Sequence, residues 1–231
     1  MPFAYHPDFA DTVGYEFHGL PDDPDGQVSQ TIDRIRAYIR ADATSPLIAE
    51  HAQRAFNLGA NPNRSYAHQA IVGVWQHVKS CMRFKSDEAL AADLQISDPR
   101  IPDVVEVVIR PLDQAMMIDR TGQGREDCDG FEGYAGCLLT RLGIPVALVT
   151  VSADAKRPGQ FSHVYLAAYA DGERIPLDFS HGPRPGWECP NMGRLREWPV
   201  ALGWGDFVMP LVCVVGAYLA YSLAVRQRSF A

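Results

Sequence analysis

The stretch from residue 128 to residue 145 constrains the fold of this chain most tightly, because its apolar residues recur with the period of a helix. They stand at intervals of i, i+3, i+4, i+7, i+8 and i+11, at Phe131, Tyr134, Ala135, Leu138, Leu139 and Leu142. This spacing predicts an amphipathic helix with its apolar face inward. Gly143 and Pro145 follow at once, and they predict that the helix ends there.

Strand-like runs follow this helix and indicate an antiparallel sheet. They cover residues 146–152, 162–170 and 173–180. Asp171-Gly172 separates the last two, and this dipeptide is a strong signal for a two-residue hairpin loop. Upstream, apolar residues at helical spacing predict three helices, over residues 28–41, 45–58 and 66–79. N-terminal helices, then one helix packed on an antiparallel sheet, predict an α+β fold.

The hairpin also predicts which side chains meet across the sheet. If Ala170 pairs with Glu173, counting back along both strands sets Tyr165 opposite Asp178. His163 and Asp178 then share one face at a diagonal position, where side chains are close enough to touch. A slip of one residue would put them on opposite faces. The pattern therefore predicts an imidazole beside a carboxylate.

Cys128 stands at the start of the predicted helix, where backbone N–H groups and the helix dipole stabilise a thiolate. Asp127 and Asp129 act against the thiolate, so a cationic neighbour is required. His163, on a strand soon after the helix, is the candidate. Each residue alone is more often structural than catalytic. The conjunction of nucleophile, base and acid predicts a Cys128–His163–Asp178 site.

Two segments, 126-EDCDGFEGYAGCLLTRLGIPVALVTV-151 and 161-FSHVYLAAYADGERIPLDFSHG-182, resemble the core of the transglutaminase-like superfamily of cysteine enzymes. The shared pattern is an acid-flanked Cys, an apolar helix ending in Leu-Gly-Ile-Pro, and strands that carry His-Val and Leu-Asp. The resemblance implies a papain-like arrangement with Cys128 as nucleophile, His163 as base and acid, and Asp178 as orienting group. The extension 178-DFSHGPRPGWECP-190 also resembles members from bacteria and their tailed phages.

The resemblance implies a cysteine peptidase or amidase, that is, a thiol-dependent hydrolase or acyltransferase acting on a peptide-like bond, with hydrolysis favoured. It implies no cofactor and no metal ion. Many members carry a second acid where this chain has Gly130, and glycine where it has Glu126. The backbone N–H of Cys128 is the natural oxyanion donor. The side-chain candidates for a second donor are Trp75, Gln76 and Gln114.

The composition excludes several other classes of function. The net charge of -7 and the lack of a basic stripe argue against nucleic acid as main partner. A peptide or protein substrate is what the resemblance implies. Five cysteines without C-x-x-C spacing suggest neither a disulfide framework nor a zinc site, and Cys137 is expected to be a packing residue. The loop residue His181 could line the cleft mouth, although a loop role is favoured.

The two ends of the chain give expectations about location. The N-terminus has no basic start and no apolar run, so no secretory signal is expected and synthesis should be cytoplasmic, with later export or packaging left open. Residues 207–225 contain no charged residue. A helix of that length spans roughly 28 Å, close to the hydrocarbon thickness of a bilayer. We expect a membrane helix or a strongly apolar partner there, with a buried terminal helix or strand pair as the alternative.

Three parts are therefore predicted, namely an N-terminal arm over residues 1–27, a cysteine-enzyme domain over 28–200 and an apolar segment over 204–231. Arginines flank residues 207–225 on both sides, so the positive-inside rule gives no orientation. The oligomeric state stays open. The alternative function is a membrane-associated or virion component, structural or binding in role, that retained the fold without turnover.

Overall fold

The computed structural model describes residues 3–4, 15–16, 23–93 and 107–200. Its helices are α1 (Pro24–Asp42), α2 (Pro46–Gly59), α3 (Tyr66–Cys81), α4 (Asp87–Asp93), α5 (Pro111–Thr121) and α6 (Cys128–Arg141). Its strands are β1 (Phe3–Ala4), β2 (Tyr15–Glu16), β3 (Met82–Phe84), β4 (Val108–Ile109), β5 (Gly124–Glu126), β6 (Val146–Val151), β7 (His163–Ala170), β8 (Glu173–Leu177) and β9 (Leu195–Pro199). Helices and an antiparallel sheet share this part of the chain, and the α+β prediction is confirmed.

The first helix begins earlier than its apolar spacing predicts. The expected start was Val28, whereas α1 begins at Pro24. Asp23 caps this end, because its side chain accepts a hydrogen bond from the backbone N–H of Gly26 at 2.6 Å. Proline at the first helical position needs no hydrogen-bond partner for its nitrogen. The polar first turn carries no apolar signal, so periodicity alone misses it.

Helix α6 is the central element of the fold. Every residue from Asp129 to Thr140 is buried, because α1, α2, α3 and α5 contact the helix in addition to β6 and β7. The expectation of a single apolar face was therefore too narrow. The helix ends as predicted, with Gly143 in the left-handed region at φ 75°. The nucleophile candidate thus stands on the most enclosed helix of the described chain.

The four-stranded sheet has the order β8-β7-β6-β9, and all its neighbours are antiparallel. Asp171 and Gly172 both have positive φ, 53° and 82°, as a type I′ hairpin turn requires. Ala170 pairs with Glu173. The predicted hairpin and its register are confirmed.

The two faces of this sheet have different neighbours. One face, with Leu148 and Leu166, belongs to the main core shared with the helices. The opposite face carries a smaller cluster that includes Val149 and Tyr165 and packs against Cys189 in the loop before β9. Strand β9 was not predicted, since its residues LREWP follow a loop rich in proline and glycine. It exists because β6 offers it a free edge to pair with.

A short pair of parallel strands leads to the start of α6. β3, which directly follows α3, pairs with β5, and Phe84 lies opposite Glu126. The sequence left this region unassigned, because a pair of three-residue strands has no readable periodicity. The pairing brings the end of α3 beside the residues that lead into Cys128.

The structure corrects the transmembrane-helix prediction. No helix within the described ranges is long enough and apolar enough to cross a membrane. Even α1, with 19 residues, carries charges such as Asp33, Arg34 and Arg36 along its length. The segment 207–225, on which the prediction rested, lies outside the described residues. The transmembrane helix is therefore not retained, and the division at residues 27, 200 and 204 stays a prediction.

Candidate active site

Cys128 is the first residue of α6 and is half-buried. Strand β5 leads into this helix through Asp127, which is its N-cap. The carboxylate of Asp127 accepts a hydrogen bond from the backbone N–H of Asp129 at 3.0 Å. A thiol in this position lies at the positive end of the helix dipole, which favours the thiolate.

Glu126 stabilises the turn before Cys128 through hydrogen bonds to the backbone. Its buried side chain accepts hydrogen bonds from the backbone N–H groups of Ile109 at 3.0 Å and Asp127 at 2.7 Å. Burial, and then the charge of Asp127, raises the pKa of Glu126 well above its usual value. A Cβ atom on Gly130 would lie 2.0 Å from Cγ of Glu126. The two positions at which this chain departs from the transglutaminase-like pattern are therefore sterically coupled.

His163 and Asp178 meet on the sheet. Nε2 of His163 lies 2.7 Å from Oδ2 of Asp178, and both side chains are buried. His163 begins β7, and Asp178 directly follows β8, one step beyond the pair Leu166–Leu177. The diagonal arrangement expected from the hairpin is the one that the register produces.

Asp178 is held as an acceptor by several donors at once. Its Oδ1 accepts from the backbone N–H of His181 at 2.8 Å and from the hydroxyl of Ser180 at 3.1 Å. Burial alone would raise the pKa of Asp178, but the hydrogen bond and charge of His163, with these two donors, lower it below its ordinary value. Asp178 is therefore an ionised carboxylate at neutral pH.

A cavity of about 220 Å³ joins Cys128 to His163, because both residues line it. The N-terminal half of α1 forms one wall, with Val28 and Ile32 among its residues, and Phe161 also lines the cavity. The structure thus brings together the three residues singled out in the sequence, two by a hydrogen bond and the third by a shared cavity.

His181 lies closer to the site than its position in a loop suggested. Its ring is edge-on to the ring of His163, with the centroids 4.9 Å apart, and it is also edge-on to Phe84 at 5.3 Å. Burial, and then the charge of His163, lowers the pKa of His181. The available signal was its spacing of three residues from Asp178, which a tight turn converts into proximity.

Glu132 is a polar residue that the sequence reasoning missed. It is fully buried on α6, one turn after Cys128, and accepts a hydrogen bond from the backbone N–H of Phe179 at 2.8 Å. Burial, and then the charge of Asp178, raises the pKa of Glu132 well above its usual value. This contact ties the helix of Cys128 to the residue after Asp178. The signal was a glutamate among the apolar residues of the helix.

The three side chains considered for an oxyanion donor do not line the cavity. Trp75 stacks on Phe179, with ring centroids 5.0 Å apart. Gln114 is buried and donates to the backbone carbonyl of Arg125 at 3.0 Å. Gln76 is exposed on α3. Trp75 and Gln114 instead support the backbone on either side of the site.

Two groups of side chains in the described part of the chain place their donor atoms close enough for a metal ion. One consists of His163, Asp178 and His181, and the other of Asp87, Glu126 and Asp127. In both, the donor atoms lie within 4.8 Å of one another. Histidine nitrogen with carboxylate oxygen is a ligand set that suits zinc. In the first group, however, the imidazole and the carboxylate are already bonded to each other.

No family model matches this chain, and no curated protein does either. Among solved structures, a proposed cysteine protease from Cytophaga hutchinsonii is 16% identical over 65% of this chain and 42% of that chain, with a TM-score of 0.38. A TGase (transglutaminase) is 14% identical over 71% and 35%, with a TM-score of 0.35. Rad4–Rad23 bound to a 6-4 photoproduct UV lesion is 8% identical over 69% and 38%, with a TM-score of 0.38. The chain spans less than half the length of each.

Proposed function

We propose that this protein is a thiol-dependent hydrolase that cleaves a peptide-like amide bond, with Cys128 as nucleophile, His163 as base and acid, and Asp178 as orienting group. The observation that carries the proposal is the 2.7 Å hydrogen bond between His163 Nε2 and Asp178 Oδ2. It is made by the imidazole that lines the same cavity as Cys128. A buried carboxylate in this position orients the ring and fixes its tautomer.

The hydrogen bond also selects the tautomer of His163. An ionised carboxylate can only accept, so Nε2 must carry the proton that it donates to Asp178. Nδ1 is then the basic nitrogen of the neutral ring and takes the proton of Cys128. The ion pair formed in this way supplies the cation that the acidic neighbours of Cys128 require.

The reaction follows from these roles. The sulfur of Cys128 attacks the carbonyl carbon, and the proton held at Nδ1 of His163 passes to the leaving amine as the C–N bond breaks. A thioester on Cys128 remains. Water then adds to it while His163 takes one proton, and the carboxylic acid and the thiolate separate. Transfer to an amine would use the same thioester, with the amine in place of water.

Alkylation at low pH tests the activated pair directly. At pH 5.5 an ordinary thiol of pKa about 8.5 is ionised to roughly one part in a thousand, whereas an ion-paired thiolate is largely ionised. Low-pKa thiolates are weaker nucleophiles by roughly 20-fold over three pKa units. We therefore expect iodoacetamide to alkylate Cys128 roughly 10-fold or more faster than the peptide REDCDGF, as measured by site-resolved mass spectrometry.

The same molecule contains a reference thiol. Cys189 is half-buried, and burial, followed by the charges of Asp178 and Glu188, raises its pKa to about 11. Cys189 should react slowly at pH 5.5 in every variant. His163→Gln and Asp178→Asn should both slow the alkylation of Cys128. The alkylation of Cys189 should be unchanged in His163→Gln and slightly faster in Asp178→Asn, which removes one of the charges that raise its pKa. A wild-type Cys128 that reacts no faster than the peptide would rule out the proposed pair.

The product formed when the thioester breaks down distinguishes hydrolysis from acyl transfer. Full-length protein acylated by 4-nitrophenyl acetate should return to its unmodified mass with release of acetate when an amine is also present. Acetylated amine as the main product would assign the protein to the acyltransferases instead. The alternative of a structural or binding component rested on residues 207–225, which lie outside the described part of the chain, and it is not proposed further.

A further inference from the structure

The cavity beside Cys128 has the size of a single side chain. Its volume is about 220 Å³, below the range of roughly 300–1,000 Å³ that holds a drug-sized molecule. Cys128 lies in its wall, and an acyl group stays bonded to the sulfur of that residue in the proposed thioester. The side chain of the acyl residue is therefore the part of a substrate that would enter the cavity.

Two of the hydroxyl groups in the cavity wall accept hydrogen bonds from the protein itself. Oγ1 of Thr150 accepts a hydrogen bond from Nε1 of Trp198 at 3.0 Å. Oγ of Ser162 accepts from the backbone N–H groups of Ala153 at 3.0 Å and Asp154 at 3.1 Å. These contacts fix the position of both hydroxyl groups in the wall. Val28, Ile32 and Phe161 add apolar surface.

The charges around the cavity disfavour an anion. Among the residues described as lining it, the ionisable groups besides Cys128 are Asp127 and His163. A protonated His163 is shared between Asp178, at 2.7 Å, and the acidic neighbours of Cys128, so these groups together carry a net negative charge beside the cavity. Like charges a few ångströms apart repel by about 3 kcal/mol at an effective dielectric constant of 20, before screening by solvent.

The cation that contacts Phe161 in the cavity wall is also paired. The guanidinium group of Arg194 stacks on Phe161, 4.4 Å from the ring centroid. Its two terminal nitrogens each donate to a carboxylate oxygen of Asp25 at 2.9 Å. Arg194 therefore supports the aromatic wall and brings no unmatched positive charge to the cavity.

We infer that this cavity is the specificity pocket for the acyl residue, and that it accepts an uncharged side chain of medium size and rejects an acidic one. The inference rests on the proposed function, because it takes Cys128 as the atom that carries the acyl group. Its new content is the substrate class, which is a peptide-like amide with a neutral residue on the carbonyl side. Asp127 is the residue that excludes acids.

This specificity is tested with three N-acetylated aminoacyl chloromethyl ketones of nearly equal shape. They carry leucine, asparagine and aspartate side chains. Each forms a bond from the sulfur of Cys128 to carbon, releases chloride, and passes the thiol proton to His163. Rates are measured on the full chain at Cys128 by mass spectrometry and divided by the iodoacetamide rate of the same protein. We expect the leucine and asparagine probes to react about 10-fold faster than the aspartate probe.

Two variants test whether the difference in rate between the probes arises in the cavity. Asp127→Asn keeps an N-cap residue of equal quality and should bring the rate of the aspartate probe to within about 3-fold of the asparagine probe. Val28→Trp fills the cavity and should lower the normalised rate of the leucine probe at least 10-fold. Leu58→Trp, on an exposed residue outside the cavity, is the matched control and should leave that ratio as in the wild type.

The outcomes separate the two proposals. Fast iodoacetamide alkylation with equal rates for the three probes, or with the aspartate probe fastest, overturns the pocket and leaves the proposed function standing. Equal normalised rates of the leucine probe in Val28→Trp and Leu58→Trp would also overturn the pocket and leave the proposed function standing. Slow iodoacetamide alkylation of Cys128, equal to that of the peptide REDCDGF, overturns the proposed function and the pocket with it.

Discussion

Acidification from pH 7 to pH 5 should destabilise this fold through the buried imidazole of His77. Its Nε2 lies 3.0 Å from the hydroxyl of Tyr134 on α6, which is also 2.6 Å from Nδ1 of His51. Burial, and then the charges of His51 and Arg54, lowers the pKa of His77 to about 4, although Asp119 acts in the opposite sense. Protonating His77 inside the fold is therefore unfavourable.

The sign and the size of the effect follow from proton linkage. An imidazole in the unfolded chain has a pKa of about 6.5, so between pH 6.5 and pH 4 the unfolded state binds a proton that folded His77 does not. The free energy of unfolding therefore falls as the pH falls through this window. The full difference is about 3 kcal/mol, of which about 2 kcal/mol develops between pH 7 and pH 5. For a domain of this size, that corresponds to a fall in Tm of about 4–8 °C.

Urea unfolding followed by circular dichroism at pH 7 and pH 5 measures this loss. In His77→Gln the amide can still bond near the position of Nε2 but does not titrate. We expect the stability lost between the two pH values to be about 2 kcal/mol smaller in this variant than in the wild type. Gln76→Asn, at an exposed and non-titrating position of the same helix, is the control and should retain the wild-type loss. The reasoning fails if His77→Gln loses as much stability as the wild type.

Further predictions concern the residues that position the site, each measured by urea unfolding at pH 7. Gly130→Ala should cost about 2 kcal/mol or more, because the new Cβ would overlap buried Glu126; a cost unchanged in a Glu126→Ala background would contradict this. Glu132→Gln keeps an acceptor for the N–H of Phe179 and should cost less than Glu132→Ala, which should cost about 1–3 kcal/mol by leaving that N–H unpaired. Gly172→Ala should cost about 1 kcal/mol, because φ is 82° and no atom lies near the added Cβ; a stabilised protein would contradict the type I′ assignment.

Local patterns predicted the sheet half of the site well. Asp171-Gly172 demands positive φ at two successive positions, and few turn types other than I′ satisfy that demand between strands. The register of β7 and β8 then follows by counting, and with it the meeting of His163 and Asp178. The end of α6 was predicted equally well, because Gly143 and Pro145 constrain the backbone within one turn of its last residue.

Elements that depend on a partner far away in the sequence could not be predicted. Strand β9 depends on the edge of β6, and the parallel pair β3–β5 joins segments about forty residues apart. The all-round burial of α6 depends on four helices that pack against it. Periodicity describes one side of an element, so it cannot report how many sides will be covered.

The sequence by itself determined the hairpin, the helix that begins at Cys128 and the face that His163 shares with Asp178. Each of these follows from residues that are neighbours along the chain or across one tight turn, so the backbone has little freedom to do otherwise. The tertiary structure alone decided that Glu132 would hold Phe179, 47 residues away, and that His51 would meet Tyr134, 83 residues away. It also decided that α1 would form one wall of the cavity that Cys128 lines. Such contacts depend on how whole elements pack, because that packing is the sum of many weak contacts that no short segment encodes.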